Sequence, residues 1–179
     1  FLAQVDHLAL SHSFTAGTLP THFDQQHFTH WIVKQGVLTG TPAPEDKWKG
    51  GHGKVPAVQV NHSFHNAILK TRFRLNQARS VKLVINARHP KHGKYHLFRA
   101  IVTPKSLVIS KDPDPGADNR SKLTLATTEL QIDPTQWHTL TAELVNDQLL
   151  LHINDKFLTR AKHEKLNVQK SSFKFGVAG

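Results

Sequence analysis

The sequence has no cysteine, which excludes a disulfide framework, a thiolate metal site and a thiol nucleophile. It also has no methionine, not even at position 1, so the chain is expected to be a processed or trimmed product from which any export signal has been removed. No apolar run approaches the roughly 20 residues that a membrane-spanning helix needs, and no transmembrane segment is expected. Acidic residues are few, 13 against 23 lysines and arginines. That scarcity bears on catalysis, because glycoside hydrolysis by the usual route needs two carboxylates, about 5–5.5 Å or about 6.5–9.5 Å apart. Glu143 is the one carboxylate placed centrally in a clear strand pattern, so a two-carboxylate glycosidase is disfavoured.

What is present reads as one packed domain over residues 1–179. A chain of this length buries about 70% of the surface its unfolded form exposes. Apolar residues at 38% and charged residues at 20% fit a globular domain rather than a disordered chain. The net charge of +10, with 14 histidines besides, makes a field that attracts polyanions such as nucleic acid or acidic polysaccharide. The basic residues are spread along the chain without a helix-turn-helix, a zinc finger or a stacked-aromatic RNA motif, so no specific nucleic-acid readout is expected.

From about residue 31 onward the apolar pattern has a period near two. Trp31-Ile32-Val33 turns through Lys34-Gln35-Gly36 into Val37-Leu38, and the stretch from Thr41 to Gly53, rich in proline and glycine, is a loop. Strands are expected over 55–60, 67–75, 80–86, 95–102, 107–110, 123–125, 139–145, 149–153 and 173–177. In 67–75 the apolar Leu69, Phe73 and Leu75 share one face and Lys70, Arg72 and Arg74 the other. Asn146-Asp147 and Asn154-Asp155-Lys156 carry turn chemistry. About nine or ten short strands with scarcely any helix-period segment predict an all-β, two-sheet antiparallel β-sandwich of the jelly-roll kind. Residues 1–25 are the least legible part, and the histidine- and phenylalanine-punctuated first thirty residues allow an edge strand or a short helix.

Several runs resemble one family. Trp31 to Leu38, the step Gly51-His52-Gly53-Lys54-Val55, the basic-Phe-Arg strand from Ala67 to Leu75, and the late hairpin of Trp137-His138-Thr139-Leu140, Glu143, Leu149 to Asn154 and Lys156 are similar to the 3-keto-disaccharide hydrolases. These are exported bacterial domains with a concanavalin A-like fold; the late hairpin is also common in laminin-G-like sandwiches. The resemblance covers roughly residues 22–179, with planctomycete-type members the nearest in pattern. It implies a secreted, periplasmic or cell-surface protein whose partner is carbohydrate. Family members continue past the equivalent of Phe175-Gly176-Val177-Ala178-Gly179 into one more strand, which this sequence lacks; a trimmed chain or an unusual closure is expected.

Jelly rolls bind glycans on a concave sheet face, where polar side chains meet sugar hydroxyls and an aromatic ring meets the sugar's C–H face. The candidate substrate-binding set is Trp48, Lys70, Arg72, Arg74, Asn86 and Arg99. The candidate catalytic groups are His52, His96 and Glu143. A 3-keto sugar is cleaved once a base removes the acidified proton beside the carbonyl, with Arg72 or Arg74 facing the oxyanion. His52 and Arg72 are expected in one groove, with His96 or Glu143 nearby, because Gly50, Gly51 and Gly53 let the chain bend closely over a ligand. Trp31 and Trp137 are expected as core anchors and Trp48 as the aromatic that meets a ligand.

No metal or cofactor is expected, since there is no His-Glu-x-x-His motif and the histidines at 62, 65, 89 and 92 read as loop residues. The Asp112 to Asn119 loop offers oxygen ligands that could hold calcium, but its two prolines favour a plain surface loop. Two functions remain open: an exported carbohydrate-active module that cleaves 3-keto-glycosides by hydrolysis or elimination or only binds glycan, and a non-enzymatic module that holds acidic polysaccharide or a protein through its basic surface.

Overall fold

Alternating side chains sort to opposite faces of a pleated strand, and the apolar members must then be covered by a second layer. The computed structural model describes residues 10–14, 17–49 and 52–179. It has thirteen strands: β1 (Phe23–Gln25), β2 (His30–Lys34), β3 (Val37–Thr41), β4 (Ala57–Val60), β5 (Ala67–Phe73), β6 (Ser80–His89), β7 (Gly93–Val102), β8 (Ser106–Lys111), β9 (Leu123–Glu129), β10 (His138–Val145), β11 (Gln148–Ile153), β12 (Lys156–Lys162) and β13 (Lys170–Ala178). Among the described residues there is no α-helix, only single 3-10 turns at Glu45–Lys47 and Glu164–Leu166.

Antiparallel pairing builds a seven-stranded sheet in the order β1, β4, β13, β6, β7, β8, β9 and a four-stranded sheet in the order β12, β11, β10, β5. β2 and β3 form a separate hairpin, closed by Gln35 and Gly36 at φ of 52° and 74°, the paired left-handed conformation of a type I′ turn. Val81, Leu83 and Ile85 of β6, Leu140, Ala142 and Leu144 of β10, and Leu149, Leu151 and Ile153 of β11 meet in one core between the sheets. Burying a side chain of this size stabilises by about 1.5–3 kcal/mol. The protein is therefore the predicted two-sheet β-sandwich.

One irregularity decides what faces outward. Ile85 pairs with Phe98 and Asn86 with His96, so Leu97 is an extra residue in β7. This bulge turns Leu97 and Phe98 both inward, where each is fully buried. His96 and Arg99, opposite the outward-facing Asn86 and Val84, then share the outer face.

β1, at the edge of the large sheet, is the edge strand that the first thirty residues allowed. The sequence reading missed β12, whose alternation is weak, with Phe157 exposed and Ala161 buried. Trp31 is a core anchor, packed so closely on Gly40 that a Cβ there would lie 2.8 Å from the indole. Trp137 is not one: it is 38% exposed, because the alternation that buries Leu140 buries His138 and turns its neighbour out. Gly50, Gly51 and His7 lie outside the described residues. The final strand β13 is paired on both sides, by β4 and β6.

Candidate functional site

With the apolar residues of β4, β13, β6 and β7 turned inward, their alternate residues line the outer face of the large sheet. Gln59 lies opposite Lys174, Ser172 opposite Asn86, and Asn86 opposite His96. These polar groups satisfy one another in a continuous network. His96 Nδ1 lies 2.7 Å from Asn86 Oδ1, Asn86 Nδ2 donates to Ser172 Oγ at 2.9 Å and to Gln59 Oε1 at 3.4 Å, and Gln59 Nε2 donates to Asn61 Oδ1 at 2.6 Å. Beside it, Arg99 Nε donates to Asp112 Oδ2 at 2.6 Å.

Two loops raise a wall over this face. In the first, Thr29 N–H closes a turn on Gln26 C=O at 3.1 Å, with His27 and Phe28 at φ of 57° and 60°. Successive non-glycine residues in the left-handed region cost about 1–3 kcal/mol each and persist only where the surroundings hold them. In the second, His52 and Lys49 exchange backbone hydrogen bonds at 2.8 and 3.3 Å, and Ala43 N–H donates to Gly53 C=O at 2.9 Å. The rings of His27 and His52 stack 4.1 Å apart at 36°. Between these loops and the sheet lies an open cavity of about 370 Å³, lined by Gln26, His27, His52, Gln59, Lys94, Tyr95, His96 and Lys174. Its size falls in the usual range for small-ligand sites, about 300–1,000 Å³.

The hydrogen bonds fix the protonation of the site. Asn86 uses its NH₂ on Ser172 and Gln59, so its oxygen accepts from His96 Nδ1–H. The lone pair of His96 is then on Nε2, facing Lys174 Nζ at 3.4 Å. Burial, then the nearby charges of Lys174, Arg99, His27 and His52, push the His96 pKa down to about 3, so the ring is neutral at physiological pH. Burial, with Arg99 next, pushes Lys174 down to about 8. Burial, His52 and Lys174 likewise lower His27. Lys174 is 8% exposed, and among the described residues no carboxylate forms an ion pair with it.

Of the residues expected from sequence, His52 and His96 meet at this cavity, and Asn86 and Arg99 belong to the same face. The others do not join them. Lys70 and Arg72 project from the outer face of the small sheet, on the far side of the core from His52, because the alternation that buries Phe73 turns them out. The predicted groove containing both His52 and Arg72 is therefore absent. Lys70 bonds Asp155 at 3.3 Å, and the guanidiniums of Arg72 and Arg74 lie 5.5 and 5.1 Å from the Trp137 ring centroid. Glu143 also points from the small sheet, since Ala142 and Leu144 fill the core; it is fully buried, with Oε1 2.6 Å from His152 Nε2. Trp48 does not line the cavity. Its indole N–H donates to Ala43 C=O at 2.9 Å and so braces the loop that carries His52.

In the loop considered for calcium, Asp112 pairs with Arg99, and Asp114 pairs with Lys111 at 2.8 Å. The Lys111 hydrogen bond holds Asp114 below the usual carboxylate range. No group of three or more metal-ligating side chains occurs among the described residues. Among the described residues no carboxylate lines the cavity.

Sequence reading missed Gln59, Lys174, Ser172 and His27. A signal for the first and second was present: Gln59 interrupts Val58 and Val60, and Lys174 interrupts Phe173 and Phe175, each a polar residue alternating out of an apolar strand.

The sequence matches no family model and no curated protein. The resemblance to 3-keto-disaccharide hydrolases thus has no family match behind it. Solved structures share the fold. The carbohydrate binding module CBM66 from Bacillus subtilis superposes with a TM-score of 0.63 at 14% identity over 88% of each chain. The laminarinase from Rhodothermus marinus gives a TM-score of 0.64 at 14% identity, over 96% of this chain and 86% of that one. A GlcNAcα1-4Gal-releasing endo-β-galactosidase from Clostridium perfringens gives 0.70 at 12% identity, over 99% of this chain and 59% of that one. These neighbours are jelly-roll carbohydrate-binding modules and glycoside hydrolases of the concanavalin A-like fold.

Proposed function

We propose that this protein is an exported glycan-recognition module that seats a sugar in the cavity over the outer face of the large sheet. The observation that carries the reading is the site's composition: a floor of Gln59, His96 and Lys174, held from beneath by the buried Asn86, under the closely packed rings of His27 and His52. Such a floor offers donors and acceptors to sugar hydroxyls, and the rings offer an apolar surface to a sugar's C–H face. The carbohydrate-binding module and glycanases that share the fold favour a sugar ligand, and the described residues of the cavity wall include no carboxylate pair of the kind ordinary glycoside hydrolysis uses.

Titration calorimetry against a panel of oligosaccharides tests the proposal. Binding is expected; His52→Ala is expected to weaken it while the unfolding midpoint changes little, and Gln59→Ala to weaken it with a loss of stability of about 1–3 kcal/mol, since it removes the hydrogen bonds to Asn86 and Asn61. No saccharide bound by the wild-type protein would refute it.

A second reading, cleavage of 3-keto-glycosides, is favoured by the unprotonated His96 Nε2 beside the Lys174 ammonium. His96 would take the proton on the carbon between the carbonyl and the anomeric centre, and the C–H electron pair would form an enolate facing Lys174. Collapse of that enolate expels the glycosidic oxygen, which recovers a proton. A base whose conjugate acid has a pKa of about 3 is weak for this work, so binding is the preferred reading. Release of monosaccharide from a 3-keto-disaccharide, lost in His96→Gln, would reverse that preference.

A further inference from the structure

We infer that the sugar this cavity takes is acidic and that its anionic group sits on Lys174; the inference rests on the cavity being a glycan site. Lys174 rises from the middle of β13, its neighbours Phe173 and Phe175 turned to the core side, and its ammonium reaches the cavity. It is more than nine-tenths buried, and its hydrogen-bond partner is the neutral His96 ring at 3.4 Å rather than a counter-charge. A buried ammonium is stable only when an opposite charge or several acceptors compensate the loss of water.

Among the described residues no carboxylate pairs with it, and Asp112 acts on it without forming an ion pair. Lys94 lines the same cavity and donates to the uncharged Asn61. Arg99 stands on the same face, and the carboxylate within reach, Asp112, is spent on Arg99 at 2.6 Å. Asp24, at the sheet edge, is exposed and held by Gln26 Nε2 at 2.7 Å. The cavity is thus a positive pocket with one desolvated ammonium at its floor, and a singly charged oxyanion on a sugar ring, a uronate carboxylate or a sulfate ester, completes it. A neutral hydroxyl would leave the charge uncompensated.

Calorimetry on the full chain with matched ligand pairs tests this. The probes are trigalacturonate and its methyl ester, and a sulfated galactan oligomer and its desulfated form. The acidic member of at least one pair is expected to bind about tenfold or more tighter than its neutral match. Lys174→Met is expected to abolish that difference, and Lys156→Met, an exposed lysine on the small sheet, to leave it intact. Which pair shows the difference tells carboxylate from sulfate. Equal binding of acidic and neutral members, both weakened by His52→Ala, would overturn the inference and leave the glycan site standing. Absence of binding by any probe or neutral oligosaccharide would remove both. A preference that survives Lys174→Met would assign it to the general basic surface and overturn the inference. Should Lys174→Met not fold, amide shifts of the wild-type protein on adding the acidic oligomer decide: they are expected at Ser172, Lys174 and His96, and shifts confined to other surfaces refute the site.

Discussion

His96 gives its Nδ1 proton to Asn86, with ring nitrogen and amide oxygen 2.7 Å apart, and so presents a bare Nε2 to Lys174. Asn86 is thereby a positioning residue: its amide, locked by Ser172 and Gln59, selects the tautomer of a ring one strand away. Long-range nitrogen–proton spectra of imidazole-labelled protein are expected to show the Nδ1–H form of His96 and no imidazolium until the pH approaches about 3. An imidazolium signal from His96 at pH 6 would contradict the assignment.

Stability is expected to fall as the pH drops from about 6.5 towards about 3, because the unfolded chain takes up a proton at position 96 that the folded protein refuses. The slope from this group is at most about 1.4 kcal/mol per pH unit. His27, also lowered, acts in the same direction. Lys174 gives a second window: between about 8 and its ordinary 10.5 the unfolded state again binds more protons, so its contribution rises with pH. Urea midpoints measured across both ranges check this, and His96→Gln should flatten the acid limb.

Gly40, in the β2–β3 hairpin, and Gly53, in the loop that carries His52, are both places of close approach. A Cβ at Gly40 would lie 2.8 Å from both Pro56 Cβ and the Trp31 ring, and Gly40→Ala is expected to cost about 1–3 kcal/mol. Gly53 has φ +86°, and a Cβ there would lie 2.9 Å from Trp48 Cδ1. Gly53→Ala should destabilise by about 1–3 kcal/mol and also weaken glycan binding by displacing His52, whereas Gly40→Ala should affect stability more than binding. Thermal melts together with calorimetry separate the two effects.

Glu143 and Arg72 provide a contrast on the opposite sheet. Removing the fully buried Glu143 carboxylate, which pairs with His152 at 2.6 Å, is expected to destabilise by about 3–5 kcal/mol. Arg72→Ala, which strips one guanidinium from the Trp137 face, should cost about 0.5–1 kcal/mol. Neither substitution should change the affinity for a glycan. Loss of binding in Arg72→Ala with an unchanged urea midpoint would return the site to the small sheet.

The fold was legible because alternation is local: Leu69 and Phe73 or Leu140, Ala142 and Leu144 declare their buried side within a few residues. The site was legible only in part, for the same reason. Alternation tells which side of a strand Arg72 occupies but not which sheet the strand joins, so Arg72 and His52 looked like neighbours although the core lies between them. Pairing across long sequence separations made the real site, with Gln59, Asn86 and Ser172 joined through β4, β13 and β6. Glu143 looked catalytic as a lone carboxylate in a strand, until His152 on the next strand was seen to face it. His27 was unreadable because nothing in its residue type announces a left-handed turn.

The extra leucine in β7 works as a change of reading frame within a single strand. Up to His96 the outward register counts one way, and from Arg99 on it counts the other, so that two groups three positions apart serve the same surface. Strict two-residue counting through the same residues would force a choice, with either His96 or Arg99 entering the hydrocarbon interior, whereas deleting Leu97 would remove the bulge and leave both outside with Phe98 between them. A residue with no exposed surface therefore lets His96 and Arg99 share one face of the sheet.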